Sequence, residues 1–87
     1  MAVTLAITMI PATDPVANRK AEIALNIKLT SMCFEGKKNL FDFKQVDKYT
    51  IQRQWRDREA AEEYIDFIRD LEIRYGVKLV KADLQGE

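Results

Sequence analysis

The sequence contains no histidine, one cysteine, one serine, two prolines and three glycines. Each shortage closes off some chemistry. Without histidine there is no imidazole to ligate a metal or to act as general base near neutral pH. Neither a Ser-His-Asp nor a Cys-His catalytic unit can be assembled within the chain, and no imidazole can hold a haem. Cys33 stands alone, so an internal disulfide and a cysteine-based zinc site are both out of reach. The lone thiol fits a reducing compartment and reads as a small buried hydrophobe. Gly36, Gly76 and Gly86 are isolated from one another, so no phosphate-cradling loop is present. No cofactor and no metal is expected.

Long apolar runs are missing too. Residues 1–10 are apolar but are stopped by Pro11, at half the ~20 residues a transmembrane helix needs. No basic segment precedes the run, so it reads as a strand rather than a signal peptide, and cytoplasmic residence away from the membrane is expected. Charge of one sign is also in short supply: 14 basic side chains balance 14 acidic ones. Residues 1–33 carry three basic and two acidic side chains, residues 34–55 five and three, and residues 56–87 six and nine. With no run of five like charges, nothing marks a nucleic-acid or acidic-lipid surface.

What is present suits one small globular domain spanning residues 1–87. Apolar residues make up 47% and charged residues 32%, too apolar for a disordered chain. A chain of this size buries about 60–65% of its unfolded surface, which leaves one modest core.

Val3, Leu5, Ile7 and Met9 alternate with Thr4, Ala6, Thr8 and Ile10, the period of a strand with two largely apolar or small faces. Asp14-Pro15 then looks like a helix start, with Asp as N-cap and Pro at the first helical position. Val16 to Phe34 can be read in two ways. As a helix it places Val16, Ile23, Ile27 and Phe34 on one face and Ala21, Leu25 and Met32 on another, with Arg19, Glu22, Asn26 and Thr30 on a polar side. As a strand, Ile23, Leu25, Ile27 and Leu29 alternate well across residues 23–30. Helix is preferred, because a strand would leave residues 11–21 as a long structureless loop. One apolar face can cover a sheet and the other can meet a partner.

Glu35-Gly-Lys-Lys38 is a turn. Leu40 to Val46 and Lys48 to Trp55 read as a hairpin joined at Asp47-Lys48. Tyr49, Ile51, Arg53 and Trp55 share one face of the second strand. Asp57 to Tyr75 is an amphipathic helix with Asp57 as N-cap and Gly76 just past its end. Val77 to Leu84 is the last strand. The order β-α-β-β-α-β predicts an α+β, ferredoxin-like domain: a four-stranded antiparallel sheet with both helices on one face. The uncovered face is expected to carry Thr4, Ala6, Thr8, Phe41, Phe43, Thr50, Gln52, Gln54, Val80 and Ala82. Two phenylalanines there call for a cover, most simply a second copy of the chain.

Glu35-Gly36 before a strand with Phe41 and Phe43, then Tyr49-Thr-Ile-Gln-Arg-Gln-Trp55, then Arg56-Asp-Arg-Glu-Ala-Ala-Glu-Glu-Tyr64, resembles the antibiotic biosynthesis monooxygenase-like family. The resemblance covers roughly residues 35–68. It implies a dimeric α+β barrel in which two sheets pack face to face, with a pocket in each half. It also implies binding, or oxidation by O2 without a cofactor, of a small aromatic or apolar molecule. Trp55 matches the family's strand-end tryptophan. None of Asn18, Asn26 and Asn39 falls in the matched motif, and the haem-degrading branch needs a histidine this chain lacks.

The candidate pocket residues are Trp55, Tyr49, Arg53, Tyr64, Phe41 and Phe43, each with a plainer role available. Trp55 can stack on a flat ligand or anchor the strand end against the second helix. Tyr49 and Tyr64 can donate a phenolic hydrogen bond or edge the core. Arg53 can hold an anion or enolate, or pair with Asp57, Glu62 or Asp66. Phe41 and Phe43 can stack bases in principle, but no basic surface accompanies them. Glu59, Glu62, Glu63 and Asp66, interspersed with arginine, read as a solvated helix face and not as metal ligands. The expected function is therefore a homodimeric small-molecule binder or cofactor-free oxygenase. The alternative is a non-catalytic interaction or scaffold domain of the same fold.

Overall fold

The alternation of residues 3–10 forms strand β1, Val3–Ile10, and the Asp14-Pro15 signal starts helix α1, Pro15–Phe34. In the computed structural model, which describes residues 2–38 and 42–86, these are followed by β2 (Phe43–Asp47), β3 (Thr50–Trp55), α2 (Arg58–Tyr75) and β4 (Lys78–Gly86). Phe41, one of the candidate pocket residues, lies outside the described residues. The strands form one antiparallel sheet in the order β2-β3-β1-β4. With its βαββαβ order, this is a ferredoxin-like α+β fold.

The helix ends follow from local chemistry. The Asp14 carboxylate accepts the Val16 N–H at 3.1 Å, and Pro15 opens α1 with a preset φ and no N–H to satisfy. Residues 23–30 are helical. At the far end Lys37 N–H reaches the Met32 carbonyl at 3.0 Å and Gly36 N–H the Cys33 carbonyl at 3.1 Å. That paired closure needs a left-handed residue, and Gly36 supplies it with φ of 76°. Asp57 caps α2 by accepting the Ala60 N–H at 2.9 Å, and Gly76, at φ of 81°, ends it.

Register sorts the side chains. Val3, Leu5 and Ile7 stand beside Trp55, Arg53 and Ile51 on β3 and beside Gly86, Leu84 and Ala82 on β4, facing the helices. Thr4, Ala6 and Thr8 stand beside Gln54, Gln52 and Thr50, and beside Gln85, Asp83 and Lys81, on the uncovered face. The Thr8 and Thr50 hydroxyls hydrogen-bond at 2.8 Å across the strands.

Phe43 and Ala82 therefore depart from the alternation expected for them. Phe43 lies opposite Arg53 on the helix side, and Ala82 packs against the core. Each strand carries a bulge: Val46 is unopposed in β2, and Val80 is unopposed in β4. One extra residue flips everything beyond it to the other face. The uncovered face is consequently mostly threonine, glutamine and charged side chains, with Ala6 and the exposed Ile10 among them.

The two helices attach differently. Ala60 and Ala61 are fully buried and let α2 sit close on β1 and β3, where Tyr64, Ile68 and Leu71 complete the core. Helix α1 approaches α2 closely but none of the strands, and reaches the core through Met32, Leu25 and Leu29. A polar link supports it. Glu63 of α2 receives Lys28 of α1 and Lys37 of the following turn, each at 2.8 Å. These two hydrogen bonds, Lys28 first, hold the Glu63 carboxyl below its ordinary pKa. A depressed carboxyl stabilises the fold above its unfolded pKa and loses that contribution as pH falls through the folded value. Glu63→Gln should therefore flatten the acid side of the stability–pH curve below about pH 4.5. Urea midpoints measured between pH 3 and 7 check this, and a variant curve parallel to the native one would refute it.

Candidate functional site

Because α1 stands off the sheet, a cleft of about 540 Å³ opens between it and the helix-facing side of β1 and β3. Ile7, Met9, Ile51 and Ile68 supply apolar walls, and Leu25 closes the α1 side. Glu22, Asn26, Lys48 and Tyr49 bring polar groups to it. A smaller recess of about 240 Å³ adjoins it, with Asn26 and Arg53 common to both and Leu29, Thr30, Cys33, Lys38 and Phe43 lining the remainder.

Arg53 sits where the two spaces share a wall. Alternation turns it toward the helices among Ile51, Trp55 and Leu5, an unusual place for a guanidinium. Its Nη1 donates to the Tyr64 hydroxyl at 3.5 Å, the long end of hydrogen bonding. Its guanidinium carbon lies 5.9 Å from the Phe43 ring and 6.0 Å from that of Tyr64, within cation–π range. Among the described residues no carboxylate pairs with it. The three acids expected to do so are engaged elsewhere: Asp57 with Arg56 at 3.0 Å, Glu62 with Arg58 at 3.5 Å, and Asp66 with Arg69 at 3.9 Å. Each acid has a basic neighbour on its own segment, so no ion pair across the fold is needed to satisfy it.

Tyr64 is almost fully buried, and burial raises its phenol pKa, with Arg53 pulling weakly the other way. The hydroxyl is thus held protonated, a hydrogen-bonding group and not a base. Behind it lies Trp55, 1% exposed, with ring centroids 4.7 Å apart and planes tilted by 35°. Trp55 does not line the cleft. It borders a shallow depression with Lys38, Asp42 and Arg56. Its indole Nε1 is buried without a hydrogen-bond partner among the described residues.

The structure thus brings Tyr49, Arg53 and Tyr64 together in the main cleft and Phe43 with Arg53 in the recess, and leaves Trp55 as the support behind Tyr64. Cys33 is only half-buried, at the wall of the recess. Sequence reasoning did not single out Glu22 and Asn26, although their four-residue spacing on the polar side of α1 was the available signal. Lys38 was also missed. It is buried, donates to the Asp42 carbonyl and lies 5.5 Å above the Trp55 ring. Burial lowers its amine pKa. Nothing in a Gly-Lys-Lys turn tells a buried lysine from an exposed one.

Among the described residues no group of three or more cysteine, aspartate or glutamate side chains gathers at a point fit for a metal. Among the described residues no helix is long and apolar enough to cross a membrane. Comparison with known protein families, with curated proteins and with solved structures finds no match for this chain.

Proposed function

We propose that this chain binds a small, flat, apolar molecule bearing one anionic group in the cleft between α1 and the sheet. The observation that carries the reading is Arg53, a guanidinium without a carboxylate partner among the described residues, set in a largely apolar cleft. Planar guanidinium suits a carboxylate or enolate oxygen, which it can bind with two parallel N–H donors. Ile7, Ile51 and Ile68 suit an aromatic or alicyclic body, and Phe43 offers a ring edge in the adjoining recess.

In its catalytic form, which the family resemblance suggests, the ligand's own enolate carbon would react with O2. A CH2 centre would gain one oxygen atom as a carbonyl, and the other would leave as water, so no added reductant is required. Arg53 would stabilise the enolate and the apolar walls would exclude water. The lone cysteine fits a cytoplasmic setting. A non-catalytic interaction role draws support from a separate surface, the outer face of α1.

The test uses a matched pair of probes, 2-naphthoate and neutral 2-naphthylmethanol, titrated into ¹⁵N-labelled protein. Naphthoate should shift the amides of Asn26, Ile51 and Arg53. Arg53→Met should weaken it by roughly 10–100-fold, the worth of a hydrogen bond to a charged group, and leave the alcohol unchanged. The variant should remain folded, because the guanidinium has no ion pair to lose. Absence of shifts at the cleft with both probes would overturn the binding reading. Equal binding of both would remove the anion from it.

A further inference from the structure

The outer face of α1 is apolar where a surface helix is normally polar. Val16, Ile23, Ile27 and Phe34 are 63%, 49%, 65% and 89% exposed. They form one stripe on the side opposite Leu25 and Met32, which reach the core. Their spacing has a property that scattered exposed residues would lack. The steps along the chain are seven, four and seven, and read the same in either direction.

From this we infer that a second copy of the chain docks on α1, antiparallel, about a two-fold axis between Ile23 and Ile27. In that arrangement Ile23 of one copy meets Ile27 of the other, at both sides of the axis, and Val16 meets Phe34. A two-fold interface must be self-complementary, with residue i contacting j and j contacting i. The palindromic spacing meets that condition without adjustment, and steps of seven and four keep a stripe in line along a pair of packed helices.

Area and charge support the same occupant. Exposed side chains of this size contribute roughly 100–200 Å² each. The four together therefore offer about 500 Å² per copy, and two copies reach the ~1,000 Å² that a specific interface requires. Asp14 meets the N-terminal end of the α1 dipole, but the last turn holds no basic side chain, so the carbonyl end is left uncompensated by the helix's own side chains. Antiparallel docking sets Arg19 and Lys20 near the carbonyl end of the opposing helix and Glu35, and opposes the two dipoles. The groove of about 550 Å³ between Ile27, Thr30, Phe34 and Glu35 lies where the Arg19–Ile23 turn of the other copy would sit.

This interface differs from the sheet-to-sheet pairing that the family resemblance implies. It leaves the polar threonine and glutamine face of the sheet in water. The test is native mass spectrometry with analytical ultracentrifugation of the intact chain at 1–200 µM, for the native protein, Ile27→Arg and Gln52→Arg. Ile27 and Gln52 both lie at the surface layer, and circular dichroism confirms that each variant is folded. The expected result is a native dimer near twice 10.1 kDa, retained by Gln52→Arg and weakened at least fiftyfold by Ile27→Arg, which buries two like charges at the axis. Three results would overturn the inference: a native monomer throughout the range, a dimer lost on Gln52→Arg, or a dimer indifferent to Ile27→Arg.

Discussion

Trp55→Ala should remove a large share of the protein's stability, whereas Trp55→Phe should retain most of it. The indole is the largest fully buried side chain. It stacks on Tyr64 of α2 and shares one buried cluster with Met32 of α1. Truncating such a residue to alanine costs about 3–5 kcal/mol. A domain of this size has only about 4–13 kcal/mol in total. Phenylalanine keeps the ring and removes the Nε1–H, which is buried without a partner among the described residues. Losing that donor offsets part of the lost area, so the net cost of Trp55→Phe should stay within about 1.5 kcal/mol. Urea denaturation followed by far-ultraviolet circular dichroism reads both. Equal costs for the two variants would show that the indole N–H is itself essential, contrary to a packing role.

Met32→Ala should act on one helix more than on the whole. Ala21 and Met32 are the buried residues of α1, and of the two only Met32 has a long side chain. It reaches the cluster of Trp55, Leu5 and Ile68 that α1 otherwise touches through Leu25 and Leu29. Removing a buried methionine side chain costs about 2–5 kcal/mol. Because α1 makes no close approach to a strand, that loss should appear first as local opening. Amide hydrogen exchange between Leu25 and Ser31 should accelerate on the order of 100-fold, clearly more than at Ile7 in β1 or Ile68 in α2. Uniform acceleration at all these sites would mean that α1 unfolds only with the rest. The same variant should widen the cleft and so weaken naphthoate binding beyond what the change in stability alone accounts for.

Much of the architecture was legible along the chain because its signals are local. The β1 alternation, the Asp14-Pro15 start, the Asp57 cap and Gly76 each act within a few residues, and the observed bounds of β1, α1 and α2 follow them closely. For residues 23–30 the chain gave only a preference for helix, from the length of the loop a strand would leave, and the fold shows them helical. The division of α1 into two apolar faces was legible as well. Leu25 and Met32 point inward, and Val16, Ile23, Ile27 and Phe34 outward.

The faces of β2 and β4 were not legible in the same way. A bulge depends on how a strand fits its neighbour, and Val46 and Val80 look like ordinary strand residues in sequence. The site shows the same division. Arg53, Tyr49 and Tyr64 could be selected from residue type and alternation. That Trp55 stands behind Tyr64 and outside the cleft could not.

The sequence by itself determined the order of the elements and the ends of β1, α1 and α2, the absence of imidazole, disulfide and phosphate-loop chemistry, and the two-faced character of α1. These depend on composition and on interactions that span one or two turns. Only the tertiary structure decided that α1 stands away from the sheet, that Phe43 joins Arg53, and that Asp57, Glu62 and Asp66 leave the guanidinium to the cleft. The reason is that bulge positions, helix-to-sheet distance and the choice among competing ion-pair partners depend on side-chain volumes and geometry across the whole fold. Alanines 60 and 61 draw α2 in, while Leu25, Leu29 and Met32 hold α1 out, and the cleft is the difference between the two.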